Sequence, residues 1–151
     1  MRDDFNSKVK TNLAKRAGYK CSNPNCRKIT IGANSNPNKS TNIGVAAHIT
    51  AASKKGPRFN ENISSTERKS IENGIWLCQT CSVLIDRDEK KYTKEILKEW
   101  KFNIENETIE ALEGKIDEKT KYENLKINTL YHLNSRFYLV FTLMQIQKLT
   151  D

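Results

Sequence analysis

Apolar residues near the start of the chain recur at intervals of four, which is the spacing of one helical face. Val9, Leu13 and Ala17 follow this pattern between residues 6 and 17, and Gly18 is a natural stop signal. The basic residues of the segment fall mostly on the other side. The pattern therefore predicts an amphipathic helix over residues 6–17.

Two further helices are predicted in the middle of the chain. One starts near Gln79 and runs to about Asp86. Thr93 is a suitable cap for the other, whose apolar stripe consists of Ile96, Leu97, Trp100 and Ile104.

Shorter apolar runs between turn-forming residues predict two strands. Residues 44–50, with the sequence GVAAHIT, form the first, and residues 75–77 form the second, directly after the Asn73-Gly74 turn signal. Together with the helices they predict an α+β domain. Polar segments between these elements predict loops over residues 33–42 and 52–66, the second closing in a helical turn over residues 66–71.

The last part of the chain has a different character. Residues 105–126 are highly charged, which predicts an exposed helix or a linker, whereas residues 127–149 regain a broad apolar face at helical spacing. Such a helix needs a partner, and the candidates are the first helix, a second copy of the chain, or a separate regulatory protein or domain. Three parts are therefore predicted: a domain over 1–104, a linker over 105–126, and a C-terminal docking or dimerisation helix over 127–151.

Charge adds a candidate ligand class. The chain has a net charge of +8, and residues 1–60 carry twelve Lys or Arg against two Asp or Glu, whereas residues 61–118 carry nine basic and fourteen acidic residues. A basic half favours a polyanion, most simply nucleic acid, although a generic soluble surface with surplus lysine is the alternative. The sequence has no run of eighteen apolar residues and no apolar signal core, so we expect a cytoplasmic protein without membrane contact.

Four cysteines form two short pairs, Cys21 with Cys26 and Cys78 with Cys81. In a reducing compartment, short cysteine spacings favour metal binding over disulfides. Four thiolates complete the tetrahedral shell of Zn²⁺ and leave no open position, so the predicted role is structural. The alternative is four unlinked buried thiols.

The segments between and around these pairs carry a family resemblance. The chain resembles the HNH endonuclease family, and most of all the nuclease effectors of bacterial antiphage defence systems, in the order of these segments: Gly44-Val-Ala-Ala-His48-Ile, Gly56-Pro-Arg58, Glu67-Arg68, Asn73-Gly-Ile-Trp-Leu-Cys78-Gln-Thr-Cys81, Leu84-Ile-Asp86, Tyr92 and Leu97-Lys-Glu-Trp100. The match spans roughly residues 10–104. It implies a small ββα-metal, treble-clef-like core braced by the cysteine zinc, with flanking helices and a C-terminal helical extension. It also implies metal-dependent hydrolysis of DNA. Because the sequence shows no second base-reading motif, we expect low sequence specificity.

The resemblance implies roles for individual residues. His48 matches the first histidine of the motif and is the expected general base, since a neutral imidazole accepts a proton near pH 7. Asn73 matches the asparagine that helps to hold the active-site loop or the metal. Ser82 stands where a second histidine is expected, and Ala47 stands where many members carry a metal-binding aspartate.

These departures move the expected ligands of a catalytic Mg²⁺ or Mn²⁺ to Asn73, Asp86 and Ser82, the last acting through water. Asp86 lies one helical turn after Ser82, so both face the same side, and hard cations prefer oxygen ligands. In the alternative interpretation Asn73 is only a turn residue and Asp86 only a helix-end surface charge.

Basic residues in and after the predicted loop are the expected contacts to nucleic-acid phosphates. Such contacts position the backbone and carry little sequence information. The candidates are Arg58, Lys54, Lys55 and Arg68.

Two other functional interpretations stay open. A catalytically degenerate HNH module would bind DNA or a protein partner without cleaving, and Ala47 and Ser82 support it. A zinc-braced protein-interaction subunit is supported by the acidic middle of the chain and by the apolar residues 127–149.

Overall fold

The computed structural model describes residues 2–114. Predictions for the linker beyond residue 114 and for the C-terminal helix lie outside these residues. Contacts divide the chain into two units, Met1–Ile109 and Glu110–Asp151, and the first contains every site discussed below. The elements in chain order are α1 Ser7–Arg16, β1 Ile31–Ala33, β2 Ser40–Asn42, β3 Gly44–His48, α2 Ser65–Arg68, a 3₁₀ turn Ile71–Asn73, β4 Gly74–Cys78, α3 Gln79–Arg87 and α4 Lys94–Leu112.

The central unit consists of β3, β4 and α3. β3 pairs antiparallel with β4, in a register that places Gly44 opposite Cys78 and His48 opposite Gly74. Every residue of β4 is buried, and the chain passes from Cys78 directly into α3. The strand register therefore fixes the distance between the end of β3 and the first turn of α3. Fully buried side chains fill the space between this unit and α4: Ile49, Ile75, Leu77, Ile85 and Leu97.

Helix α1 confirms the prediction for residues 6–17. Asn6 caps it by accepting a hydrogen bond from the Val9 amide, and Gly18 leaves the helix with a φ of 55°. Its buried face, with Leu13 and Ala17, packs in a second apolar cluster with Trp76.

The predicted α3 and α4 are also confirmed. The Thr93 hydroxyl accepts a hydrogen bond from the Ile96 amide at the start of α4. Leu97, Trp100 and Ile104 are buried as the stripe predicts, and the helix continues past residue 104 to Leu112. Ion pairs join its polar side to the α1 region: Arg16 with Glu105, and Lys20 and Arg27 with Glu107.

The loop prediction for residues 33–42 is wrong at both ends. β1 and β2 form a small antiparallel hairpin, with Ile31 opposite Asn42 and Ala33 opposite Ser40. Each strand has three residues and none of them is buried. A strand without a buried face has no alternating apolar pattern, so the sequence carried no signal for it.

The Asn73-Gly74 pair is not a hairpin turn. Asn73 ends a 3₁₀ turn, and residues 49–73 connect the two paired strands as one long loop that contains α2. The helical turn in this loop starts at Ser65, slightly before the predicted segment, because Ser64 and Glu67 form a capping box.

The architecture confirms the α+β class, with two two-stranded sheets and four α-helices across residues 2–114. None of the helices in this part of the chain combines the length and the apolar character that crossing a bilayer requires.

Gly44 should be intolerant of even a methyl group. A Cβ built on Gly44 would lie 2.0 Å from the Trp76 indole, whereas a Cβ on Gly32 in β1 would meet nothing within 4 Å. We expect Gly44→Ala to lower the free energy of unfolding by about 1–3 kcal/mol, because the core must shift to admit the methyl group. Gly32→Ala is the matched strand control and should be neutral or slightly stabilising in urea unfolding. Equal unfolding midpoints for the two variants would contradict the close packing of Gly44 against Trp76.

Candidate metal centre and active-site pocket

The four cysteines converge on one point although they come from two distant segments. The Sγ atoms of Cys21, Cys26, Cys78 and Cys81 all lie within 4.8 Å of one another. Cys21, Cys78 and Cys81 are buried and Cys26 is half-buried, and no disulfide joins them. The predicted pairing of the two segments is therefore observed.

Local hydrogen bonds shape each cysteine pair into a turn. In the first, the Cys26 amide donates to the Asn23 carbonyl, and the Asn23 side chain accepts from the Asn25 amide. In the second, Cys78 is the N-cap of α3, with its sulfur 3.5 Å from the Cys81 amide nitrogen. The Asn23 side-chain amide also lies 3.3 Å from the Cys81 sulfur and donates to it. Donors aimed at sulfur stabilise thiolates.

This geometry fits a tetrahedral metal ion. Zn–S bonds of about 2.3 Å require sulfurs about 3.8 Å apart, and the Cys26 and Cys78 sulfurs are 3.9 Å apart. Burial raises the pKa of the Cys21 thiol, so an ion must displace a proton to bind there. The cluster can hold a metal ion such as zinc, and all four ligand positions are then filled by the protein.

A separate pocket of about 410 Å³ lies where β3 and α3 meet the long loop. His48 reaches it from the end of β3, and Ser82 and Asp86 reach it from successive turns of α3. Ala47 also lines it. The structure thus brings together three of the residues predicted for catalysis.

His48 is held by the N-terminal segment. Its Nε2 lies 2.9 Å from the Asp3 carbonyl oxygen, and a carbonyl can only accept, so Nε2 carries the proton of the neutral ring. Nδ1 is then the basic nitrogen. Burial, the largest influence, lowers the pKa of His48 below its ordinary value, which keeps the imidazole neutral at pH 7.

Asn73 does not line this pocket, and its side-chain amide forms all of its hydrogen bonds within the protein. Its oxygen accepts from the Thr50 amide at 2.9 Å and from the Thr50 hydroxyl at 2.6 Å. Its nitrogen donates to the carbonyls of Thr50 and Arg68. Both lone pairs and both protons are therefore occupied. The arrangement corrects the expectation of a metal contact and corresponds to the alternative in which Asn73 holds the loop.

The two α3 residues have partners that limit their freedom. The Ser82 hydroxyl donates to the Gln79 carbonyl at 2.8 Å. One oxygen of Asp86 accepts from the Arg58 guanidinium at 2.8 Å, while the Asp86 side chain is about half exposed. Asp86 is also the only carboxylate among the residues that line this pocket.

Arg58 differs from the expectation of a phosphate contact. Its side chain is only 6% exposed, and its guanidinium donates to the carbonyls of Ile49 and Ile85 as well as to Asp86. It adopts a left-handed backbone conformation with a φ of 55°. Arg58 therefore ties the long loop to α3 and is not available to a ligand.

Arg68 is likewise an internal residue. It donates to Asp3 at 3.2 Å and to the Asn60 carbonyl, and its guanidinium covers the Phe59 ring. Lys54 and Lys55 are exposed in the loop segment whose neighbours Ser53, Gly56 and Pro57 line the pocket. Of the four predicted phosphate contacts, only these two lysines are on the surface and beside the pocket.

Sequence reasoning missed two basic residues of the pocket, Arg87 and Arg2. Arg87 is exposed in the last turn of α3, directly after Asp86. Helical spacing gave no signal for Arg87, since five residues place it about 140° from Ser82 around the axis of α3. Arg2 carried no signal, because only the tertiary fold brings it to the site.

A scan of the chain against protein-family models gives no match, and a search among curated proteins finds no similar sequence either. The likeness to HNH endonucleases is thus carried by the motif residues alone.

The purified chain is expected to hold one zinc ion. Cys81→Ser should lose the ion and lower the unfolding midpoint, because three thiolates and a buried hydroxyl make a poorer shell. Ser82→Ala is the control, as it alters the next residue and leaves the thiol cluster intact. Zinc per chain is measured by plasma emission, and stability by thermal unfolding with and without chelator. Full zinc content in Cys81→Ser would rule out the four-thiolate site.

Proposed function

We propose that this chain is a metal-dependent HNH-type endonuclease that hydrolyses DNA phosphodiester bonds with low sequence specificity, of the kind that acts in antiphage defence in the bacterial cytoplasm. One observation carries the proposal. His48, Ser82 and Asp86 share a single open pocket, although a long loop separates β3 from α3 in the chain. A base and an oxygen-ligand pair are the minimum that a one-metal hydrolase needs.

The proton chemistry falls to His48. With Nε2 donating to the Asp3 carbonyl, Nδ1 is the nitrogen that accepts a proton from the attacking water. Asp86, with Ser82 one turn before it, would hold Mg²⁺ or Mn²⁺, since these ions take one or two carboxylates and keep several waters. When bound, such an ion stabilises charge on the phosphate and on the departing 3′ oxygen.

DNA is the proposed substrate because the pocket is bordered by cations. Arg87 and Arg2 line it, and Lys54 and Lys55 are exposed beside it. Contacts from such side chains neutralise phosphates without reading bases. Low sequence specificity is the consequence.

A catalytically degenerate module that binds DNA or a protein partner without cleavage is the second candidate. Specific contacts favour it: Ser82 donates to Gln79, one oxygen of Asp86 is paired with Arg58, and Ala47 offers no ligand. A cation in this pocket would have one carboxylate oxygen as a ligand, the oxygen of Asp86 that is not paired with Arg58. The predicted homodimer or regulatory contact through residues 127–149 lies outside the described part of the chain and stays a prediction.

Cleavage of supercoiled plasmid distinguishes the two candidates. The wild-type chain should cut with Mg²⁺ or Mn²⁺, and His48→Ala should cut at least about 10²-fold more slowly, because it lacks the base. Chelation should abolish cutting, and Ser82→His should raise the rate by adding a metal ligand. Equal cutting by wild type and His48→Ala would sink the nuclease proposal. Binding without cutting under any metal would establish the second candidate.

Arg87 should contribute to DNA binding from within the pocket. In a His48→Ala background, which prevents cutting, Arg87→Ala should weaken duplex binding several-fold and reduce the salt slope by about one. Lys39→Ala is the matched control, since it removes the same charge from the exposed β1–β2 hairpin. The measurement is fluorescence anisotropy across a salt series. Equal losses in the two variants would show that binding depends on diffuse charge and not on this pocket.

A further inference from the structure

The segment of residues 2–5 covers one side of His48. The Phe5 ring stacks on the imidazole with the ring centroids 3.8 Å apart and the planes 8° from parallel. Phe5 is only 4% exposed, so this contact is part of the interior. Two residues earlier, the Asp3 carbonyl meets Nε2 at 2.9 Å. The imidazole is thus held both on its face and at one nitrogen.

The segment is itself anchored to the long loop. The Asp3 amide donates to the Ala52 carbonyl at 3.0 Å. The Asp3 carboxylate accepts from the Ser65 hydroxyl at 2.6 Å and pairs with Arg68 and Lys69, each at 3.2 Å. These contacts fix the position of the Asp3 carbonyl from outside the β3–β4–α3 unit. The carbonyl therefore has a defined location relative to the histidine.

We propose that Asp3 and Phe5 are positioning residues for His48, which hold its imidazole in one plane and one tautomer so that Nδ1 is the nitrogen open to a proton. The proposal rests on the endonuclease function, in which His48 is the base. The contacts of residues 2–5 with His48 are independent of the motif resemblance, because these residues lie outside the matched segments. A side chain clamped in this way loses little rotational freedom when the reaction begins.

The surroundings of His48 act on its pKa in opposite directions. Burial is the largest influence on the His48 pKa and lowers it, while the Asp3 carbonyl raises it. The charged groups that act on the ring are Arg2, which lowers the pKa, and Asp4 and Asp86, which raise it. Because the folded pKa lies below its ordinary value, the base should lose activity at a lower pH than a free imidazole would.

The experiment combines imidazole NMR with kinetics on three variants of the full chain. Phe5→Leu keeps an apolar side chain and removes the ring, and Phe5→Tyr keeps the ring. Ile104→Val is the stability control, since it removes one methyl group from the same apolar cluster. The chain has two histidines, so long-range ¹⁵N spectra with a His132→Gln reference sample assign the His48 tautomer and its titration.

In the wild type, the neutral ring should carry its proton on Nε2. Phe5→Leu should give a mixture of tautomers, move the acid limb of kcat up towards pH 6.5, and lower kcat roughly tenfold with little change in KM. Phe5→Tyr and Ile104→Val should retain the wild-type tautomer. An unchanged tautomer and titration in Phe5→Leu, or the same shift in Ile104→Val, would overturn the proposal.

Failure of the proposed function is distinguishable from failure of this inference. If the wild type cuts no DNA, the kinetic arm contradicts the endonuclease function, while the NMR arm still decides whether Phe5 fixes the ring. If the wild type cuts DNA and the ring of Phe5→Leu is unaltered, the endonuclease stands and the positioning role is rejected.

Discussion

The junction at Cys78 is the constraint on which the rest of the structure depends. This residue ends β4, caps α3, and supplies one sulfur to the four-thiol cluster. The cluster ties residues 21–26 to the same junction, and the strand register ties β3 to it. Because β4 and α3 are continuous, His48 at the far end of β3 and Asp86 on α3 have fixed relative positions. A metal ion in the cluster would stabilise this junction in a domain whose core is small.

Specific polar contacts hold the long loop of residues 49–73 in one conformation. Asn73 closes it through Thr50. Arg58 fastens it to α3 through the Ile85 carbonyl and Asp86, and to the start of the loop through the Ile49 carbonyl. Buried polar groups of this kind are stable only when fully satisfied, and a satisfied network specifies one conformation. Two residues that a motif comparison would assign to ligand binding are therefore structural supports of the site. In contrast, Arg87 and the loop lysines are exposed in or beside the pocket.

Architecture alone does not determine chemistry, so the residues of the site carry the function. A neutral histidine of defined tautomer, next to a carboxylate in an open pocket bordered by cations, favours hydrolysis of a phosphodiester. The scarcity of acidic groups in that pocket favours a module that only binds. The two functions differ in whether Asp86 and Ser82 hold a cation. The N-terminal segment matters in either case, since it sets the environment of the histidine.

The sequence by itself determined three helices, the two paired strands of the central unit and the convergence of the cysteine pairs, because each has a local signal: apolar periodicity, capping residues, or ligand spacing. It also indicated that Ser82 and Asp86 share a helix face. Only the tertiary structure decided that the β1–β2 hairpin exists, that Arg58, Arg68 and Asn73 are engaged internally, and that Asp3 and Phe5 hold His48. The physical reason is that these contacts join residues far apart in the chain. Their partners are backbone carbonyls and a ring face, which leave no pattern in the order of amino acids.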